Sequence, residues 1–420
     1  MLYKKKIFKR ITGIFILTLA TVSGHAQNTS SPYSVLGIGD IENDDYGRYS
    51  ASGSAAVSRR ENGYYNFANP ASLTVMGYKS INLDFGFRGR ISRFKLPGAD
   101  TLTSPSKDFI VKRVTLAFKV TPSVAIAFGI KPFSSVNYQY NVITAIADGS
   151  AQYLKYTDGS GGIYQSYFSG AKQLNKHFSI GATASWLFGS LQNSTEYYNT
   201  NIGLDIIKNE NKFYYGAGLQ TGLQYYTATD KKWKHTIGIT GSIYTRLKGQ
   251  NTVDYTESGT ALKTPDPEDI SFKLPVSVTA GYSVKNINGI GLHVQGNYQK
   301  WPVQKLEYQN SFVTNAYNFN AGVEYTHNFK ELPVESYYLA GGVKMEQSYL
   351  LIKGQNLNTY AVTLGGGKNI SRLISLNAGL EAGKRGKYTF NQIQEKYVQF
   401  SFGVTLKDFW YGTKRFGRFN

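Results

Sequence analysis

An all-β chain, folded as a transmembrane antiparallel β-barrel of 14 strands behind an N-terminal hatch or plug segment, is what three features of the sequence predict. Apolar and polar residues alternate with period two in stretch after stretch, as lipid-facing and lumen-facing positions do. The connections between those stretches alternate between long and short. The chain also opens on an export leader, with no apolar helical span behind it. Composition agrees: aromatics are 15% and charged residues 17%, too ring-rich and too charge-poor for a disordered or coiled-coil chain. Cysteine is absent, which excludes disulfide scaffolds, thiolate zinc sites, cysteine nucleophiles and a lipidated N-terminal cysteine.

The elements follow in chain order. Residues 1–26 read as a signal peptide. Lys4, Lys5, Lys6, Lys9 and Arg10 are its basic start, residues 11–19 its apolar core, and Gly24-His25-Ala26 its cleavage site. The core is well below the ~18 residues that span a bilayer, so cleavage before Gln27 is expected rather than anchoring. Cleavage removes five basic residues and no acids, and the formal charge falls from +19 to +14. Residues 27–79, rich in Gly, Ser, Ala and Asn and without a convincing strand, are expected to form the hatch or plug. Residues 80–406 are the barrel, and residues 407–420 a periplasmic tail carrying Lys414, Arg415 and Arg418.

Within the barrel, Ile81, Leu83, Phe85 and Phe87 alternate with Asn82, Asp84, Gly86 and Arg88. Tyr215, Leu219, Leu223 and Tyr225 alternate with Gly216, Gln220, Gly222 and Gln224, and Phe319, Ala321 and Val323 with Asn320, Gly322 and Glu324. Phe178, Ile180 and Trp186 alternate with Ser179, Gly181 and Ser185, and Val398, Phe400 and Phe402 with Gln399, Ser401 and Gly403. Charges fall on the inner set, as they must, because a cation at mid-depth on a lipid face costs roughly 2–4 kcal/mol. Long connections are expected over 91–108, 132–162, 192–211, 249–271, 302–314, 348–357 and 384–394. The fourth and eleventh strands alternate ambiguously, so counts of 12 or 16 stay open. Tyr225, Tyr226, Trp186, Trp301 and Trp410 suit interfacial girdles.

No catalytic constellation stands out in the sequence. The five histidines are scattered, no G-x-S-x-G elbow occurs, and Gly365-Gly366-Gly367-Lys368-Asn369 lacks the Ser or Thr of a phosphate loop. No enzyme, cofactor or metal is expected. Two readings of Asp40, Glu42, Asp44 and Asp45 are open, a calcium site or a hydrated surface run. His293 falls on the lumen face, where a hydrogen bond is the simple expectation. Export and the strand-period placement of the aromatics argue against a nucleic-acid partner.

The opening SPYS-x-x-GIGD, the NPAS box at Asn69, Pro70, Ala71 and Ser72, the 14-strand pattern and the ending KYVQFSFGVTLKDFW resemble the FadL/TodX family of outer-membrane transporters, in the form common in Bacteroidota. The resemblance spans essentially the whole mature chain and implies location in the Gram-negative outer membrane. It also implies a hatch-closed barrel that takes up hydrophobic small molecules such as fatty acids or aromatic compounds, with ligand leaving laterally through the wall. Only Asn69, Pro70 and Ala71 carry over by motif, as hatch residues. Pro70 fixes φ and pushes Asn69 out of the helical region, making a rigid corner. No ligand-binding residue transfers. Phe133, Phe312, Val313, Leu350 and Leu351 are either ligand-groove candidates or loop residues packing together. Expected partners are outer-membrane lipid and lipopolysaccharide, a hydrophobic small-molecule ligand and other outer-membrane proteins. A second functional reading is a non-transporting accessory or structural barrel in an outer-membrane protein secretion or assembly complex.

Overall fold

The computed structural model describes residues 31–409, apart from Asp45, Lys263 and the segments 96–105, 146–151, 200–203, 228–231, 307–309, 329–334 and 390–391. The signal peptide, Trp410 and the tail cations lie outside the described residues.

Fourteen antiparallel strands make the wall. They are β1 Ser80–Lys95, β2 Ser106–Lys119, β3 Val124–Ala145, β4 Gln152–Gln173, β5 Phe178–Asn199, β6 Leu204–Tyr226 and β7 Trp233–Tyr244. The circuit continues with β8 Val276–Asn286, β9 Ile290–Lys300, β10 Ala316–Asn328, β11 Glu335–Ile352, β12 Gln355–Asn369, β13 Ile374–Arg385 and β14 Gln394–Phe409. The barrel closes where β14 pairs with β1, from Gln394 opposite Lys95 to Phe409 opposite Ser80. Closure leaves no free edge around most of the circuit, as hydrocarbon requires of a spanning sheet.

The alternation read from sequence sets the facing. Leu219, Leu223, Phe319, Val323, Val398 and Phe400 are exposed on the outer wall, while Asp84, Gln224, Asn320, Glu324 and Gln399 are buried inside. The two ambiguous strands have a shared cause. Tyr167 on β4 and Tyr338 on β11 are aromatic yet point inward, because each is covered by the N-terminal segment: Tyr167 stacks on Tyr65, and Tyr338 lies under Arg48.

Several expected loops are paired strand instead. β3, β4 and β5 are 22 residues each and β6 is 23, against roughly 9–11 needed to cross a bilayer. The surplus forms hairpins standing above the membrane, so 132–162 and 192–211 are largely ladder. Beyond a break at 245–246, β7 continues as Leu247–Glu257, still paired with β6. Backbone pairing needs no lipid, so it outlasts the apolar alternation that marks the membrane band.

A second core lies over the extracellular mouth. Tyr33, Leu36 and Ile38 pack there with Phe133, Val313, Leu350, Trp301 and Tyr349. Trp301 stacks on Tyr349 at 4.6 Å and is no girdle residue. Tyr226 also turns from the lipid, lying under the Arg60 guanidinium at 3.8 Å. Trp186 and Tyr225 do face outward. Phe133, Val313 and Leu350 thus pack with their neighbours, and Phe312 pairs across the ladder with Leu351.

Candidate functional site

The site is the inserted segment and the wall it touches. Two short motifs with the same local logic bracket it. Ser31 caps a 3-10 turn over Pro32–Val35 by accepting from the Tyr33 amide at 3.3 Å, with Pro at its start. Asn69 caps the turn Pro70–Val75 in the same way, accepting from the Ala71 amide at 3.0 Å. The first motif sits under the extracellular core, the second against the periplasmic ends of β5 and β6.

At the second corner Asn69 is extended, with φ −145°. Its Nδ2 donates to Val57 O at 2.9 Å and to Leu223 O on the wall at 3.2 Å. The wall makes room with glycine. A Cβ on Gly222 would stand 2.2 Å from Asn69 Oδ1, and one on Gly181 2.6 Å from the Ala71 amide nitrogen. Gly238, Gly322 and Gly342 likewise meet the backbone of Val57, Ser52 and Gly53 closer than any Cβ allows. The small residues of the lumen face therefore form a belt on which the hatch backbone rests.

Charge locks the belt. Glu324 on β10 takes a bidentate pair from Arg48 at 2.7 Å and a second guanidinium, Arg59, at 2.6 Å. Arg48 also reaches Glu335, Arg59 reaches Glu61, and Lys285 stands 3.8 Å from Glu324. Arg48 and Arg59 are 2% and 1% exposed, so both guanidinium groups depend on these carboxylates. Arg60 clamps the NPAS turn to the wall through Thr74, Ser179 and Gln224.

The described carboxylates of the acidic run are not a hydrated surface stretch. Each is paired with a wall cation: Asp40 with Arg385 at 2.7 Å, Glu42 with Lys112 at 2.5 Å and Arg88 at 3.3 Å, Asp44 with Lys344 at 2.5 Å. No cluster of metal-ligating side chains occurs among the described residues. Burial alone would raise the Glu42 carboxyl, but Lys112 and Arg88 more than reverse that and hold it below the usual carboxylate range. His293 is buried in the lumen, its Nδ1 2.9 Å from Ser283 Oγ, which meets the hatch at Ser58.

Glu42 also marks a break in the wall. The β2–β3 ladder runs only from Lys119 opposite Ala125 to Val114 opposite Ile130. Above it the edge of β3 pairs with the inserted segment instead, Asp40 opposite Ser135 and Ile41 opposite Ser134, and the Glu42 amide donates to Phe133 O at 3.0 Å. Through Arg88 on β1, Lys112 on β2 and Ser135 on β3, the Glu42 carboxylate ties three wall strands together across the gap.

The described lumen cavities are small. Three, of about 80, 60 and 130 Å³, are lined by side chains such as Glu42, Arg88, Lys131, Gln165 and Gln295. Two larger apolar hollows, of about 660 and 710 Å³, lie on the lipid-facing wall around Ile180, Leu223 and Ile239 and around Phe128, Ile130 and Trp186.

Solved structures share this architecture. The chain superposes on a FadL homologue of Pseudomonas aeruginosa with TM-score 0.59, at 11% identity, over 88% of this chain and 98% of that one. For the toluene transporter TbuX of Ralstonia pickettii the values are 0.56, 13%, 88% and 99%, and for the toluene transporter TodX of Pseudomonas putida 0.55, 15%, 87% and 98%. The fold is therefore the FadL/TodX outer-membrane barrel. No curated protein sequence matches the chain. The model of one family does, from residue 7 to residue 417 and so across barrel and hatch alike, and by that match the chain belongs to the BamG family.

Proposed function

We propose that this protein is a sealed outer-membrane barrel acting as a non-conducting structural subunit of an outer-membrane protein secretion or assembly complex. One observation carries the reading: the described lumen cavities are small and largely polar. Pockets for drug-sized or cofactor ligands are roughly 300–1,000 Å³ and mostly apolar, whereas the described lumen cavities reach about 130 Å³ and are lined largely by polar side chains. The hatch is fixed by buried ion pairs below and an apolar core above, as suits a rigid body that other proteins grip. The long hairpins of β3 to β6 offer such proteins a surface above the membrane.

A second reading, passive uptake of hydrophobic small molecules, is favoured by the likeness to TbuX and TodX and by the break between β2 and β3, which supplies a lateral path if the Asp40–Ile41 strand moves aside. Native mass spectrometry of the protein extracted from its own membrane in mild detergent separates the two. Stoichiometric co-purification with other outer-membrane proteins, without small adducts, is expected. A lone barrel carrying fatty-acid-sized or aromatic adducts would overturn the structural reading in favour of transport.

A further inference from the structure

The outer wall carries one arrangement that neither the hatch nor the lumen explains. On three neighbouring strands, Lys384 of β13 lies directly opposite Lys396 of β14, and Lys396 directly opposite Arg93 of β1. All three are exposed and outward-facing. Directly opposed residues have Cβ atoms about 5 Å apart, so three cations stand within roughly 10 Å, and like charges so placed repel. No carboxylate relieves them among the described residues. The carboxylates nearest to them on the same strands are turned inward and engaged, Glu381 with Lys344 and Tyr397, and Glu395 with Ser31 and Ser92, while Asp408 lies at the opposite, periplasmic end of β14.

Depth identifies the ligand. One outward step nearer the periplasm the register is Ala382, Val398 and Ile91, and another step gives Leu380, Phe400 and Gly89. The apolar band thus ends immediately beneath the cations. Tyr360, exposed and directly opposite Lys384, supplies the ring that marks the interface. Lys107, opposite Ile91 on β2, extends the patch by one strand. A cationic cluster at that height meets lipid headgroups rather than bulk solvent or acyl chains. Guanidinium and ammonium groups match phosphate oxygens there by charge-assisted hydrogen bonds.

We infer that Arg93, Lys384 and Lys396 form a binding site for the phosphate of a phosphorylated lipid headgroup in the outer leaflet, with Lys107 at its margin. The site is independent of whether the barrel conducts. Near a membrane surface each cation contributes roughly a fivefold gain in affinity for anionic lipid, so three act together on the order of 100-fold.

The test uses the full chain in zwitterionic detergent, wild type against Arg93→Gln/Lys384→Gln/Lys396→Gln. Bisphosphorylated lipid A, the same lipid dephosphorylated, and inorganic phosphate are added in turn. Native mass spectrometry reads retention and thermal unfolding reads protection. Wild type is expected to retain and be protected by the phosphorylated lipid, with both lost by about two orders of magnitude on dephosphorylation or in the triple variant. Without lipid the variant is expected to melt at the same temperature or higher, because repulsion is relieved. A control, Lys368→Gln/Arg372→Gln at the periplasmic end, should behave as wild type. Undiminished retention by the triple variant, equal loss in the control, or lower lipid-free stability of the triple variant would overturn the site. Equal protection by inorganic phosphate would overturn its assignment to a lipid.

Discussion

The inserted segment is held by opposite means at its two ends. Around Tyr33, Leu36 and Ile38 it is a piece of apolar core, packed among Phe133, Trp301 and Leu350, with hydroxyl hydrogen bonds from Tyr33, Ser34 and Tyr349 to backbone carbonyls and no ion pair between those residues. From Arg48 to Thr74 it is an ionic and hydrogen-bonded insert, seated on wall glycines and fixed by Glu324, Ser179 and Gln224. Apolar packing tolerates partial loss, because neighbours relax into a vacated volume. A buried ion pair does not, because removing one partner leaves the other charged in a medium that cannot solvate it. The periplasmic end should therefore fail abruptly and the extracellular end gradually.

The largest expected effect tests that asymmetry. Glu324→Gln removes the carboxylate that Arg48 and Arg59 share, leaving Arg48 only Glu335 and Arg59 only Glu61, and should cost about 3–5 kcal/mol, read as a fall in melting temperature and as protease cleavage within the hatch of the otherwise folded barrel. A hatch that stays protected in this variant would sink the ionic account of the lower end. Next comes Ile38→Ala, which is fully buried and should cost roughly 2–5 kcal/mol, with loosening confined to the extracellular end. If Ile38→Ala exposed the hatch from the periplasmic side as well, the two ends would be one cooperative unit and the contrast would fail. Smaller again is Gly222→Val. Its side chain would collide with Asn69 Oδ1 and Pro70, and overpacking of this kind costs about 1–3 kcal/mol. Loss of Asn69 protection in hydrogen exchange, with the strands of the wall unchanged, is the expected signature.

How much of this was legible in the sequence depends on which physical rule was at work. The wall was legible because lipid imposes period two: Leu219 beside Gln220 and Val323 beside Glu324 face as the alternation says. Strand length was not, since the hairpins of β3 to β6 continue above the membrane, where neither face must be apolar and the pattern fades while the hydrogen bonds persist. The acidic run was misread for a different reason. Asp40, Glu42 and Asp44 look like a hydrated or metal-binding stretch in isolation, and their partners Arg385, Lys112, Arg88 and Lys344 lie tens to hundreds of residues away on the inner faces of other strands. Inward-facing cations on the barrel strands were the available signal, and pairing them with the one acid-rich stretch of the plug would have found the lock. The break between β2 and β3 did leave a trace: Pro132, which has no amide to give a ladder, stands just past the last pair, and the facing slips on both strands there, with Lys112 and Arg113 both buried on β2 and Phe133 and Ser134 both buried on β3.

The smallest effect concerns acid. Glu42 closes the gap between β2 and β3, and Lys112 and Arg88 hold its carboxyl below the usual range. A carboxylate with a depressed folded pKa contributes stability that is present above its unfolded value and lost only as pH falls through the folded one. Asp44 runs the other way: burial raises it, and the neighbouring Glu381 adds to the effect beyond what Lys344 offsets. Falling pH therefore protonates Asp44 before Glu42. That step does not oppose folding, because a group with a raised folded pKa gains stability on protonation, and Lys344 keeps Glu381 at 3.1 Å. Between about pH 7 and about pH 5, a window above the ordinary carboxylate range, protection of the Asp40–Ile41 strand in hydrogen exchange, corrected for the intrinsic rate, should not change. Loosening of that strand within the window would show that the seal across the wall depends on a group titrating near neutrality, and Glu42 would no longer be the residue that holds it.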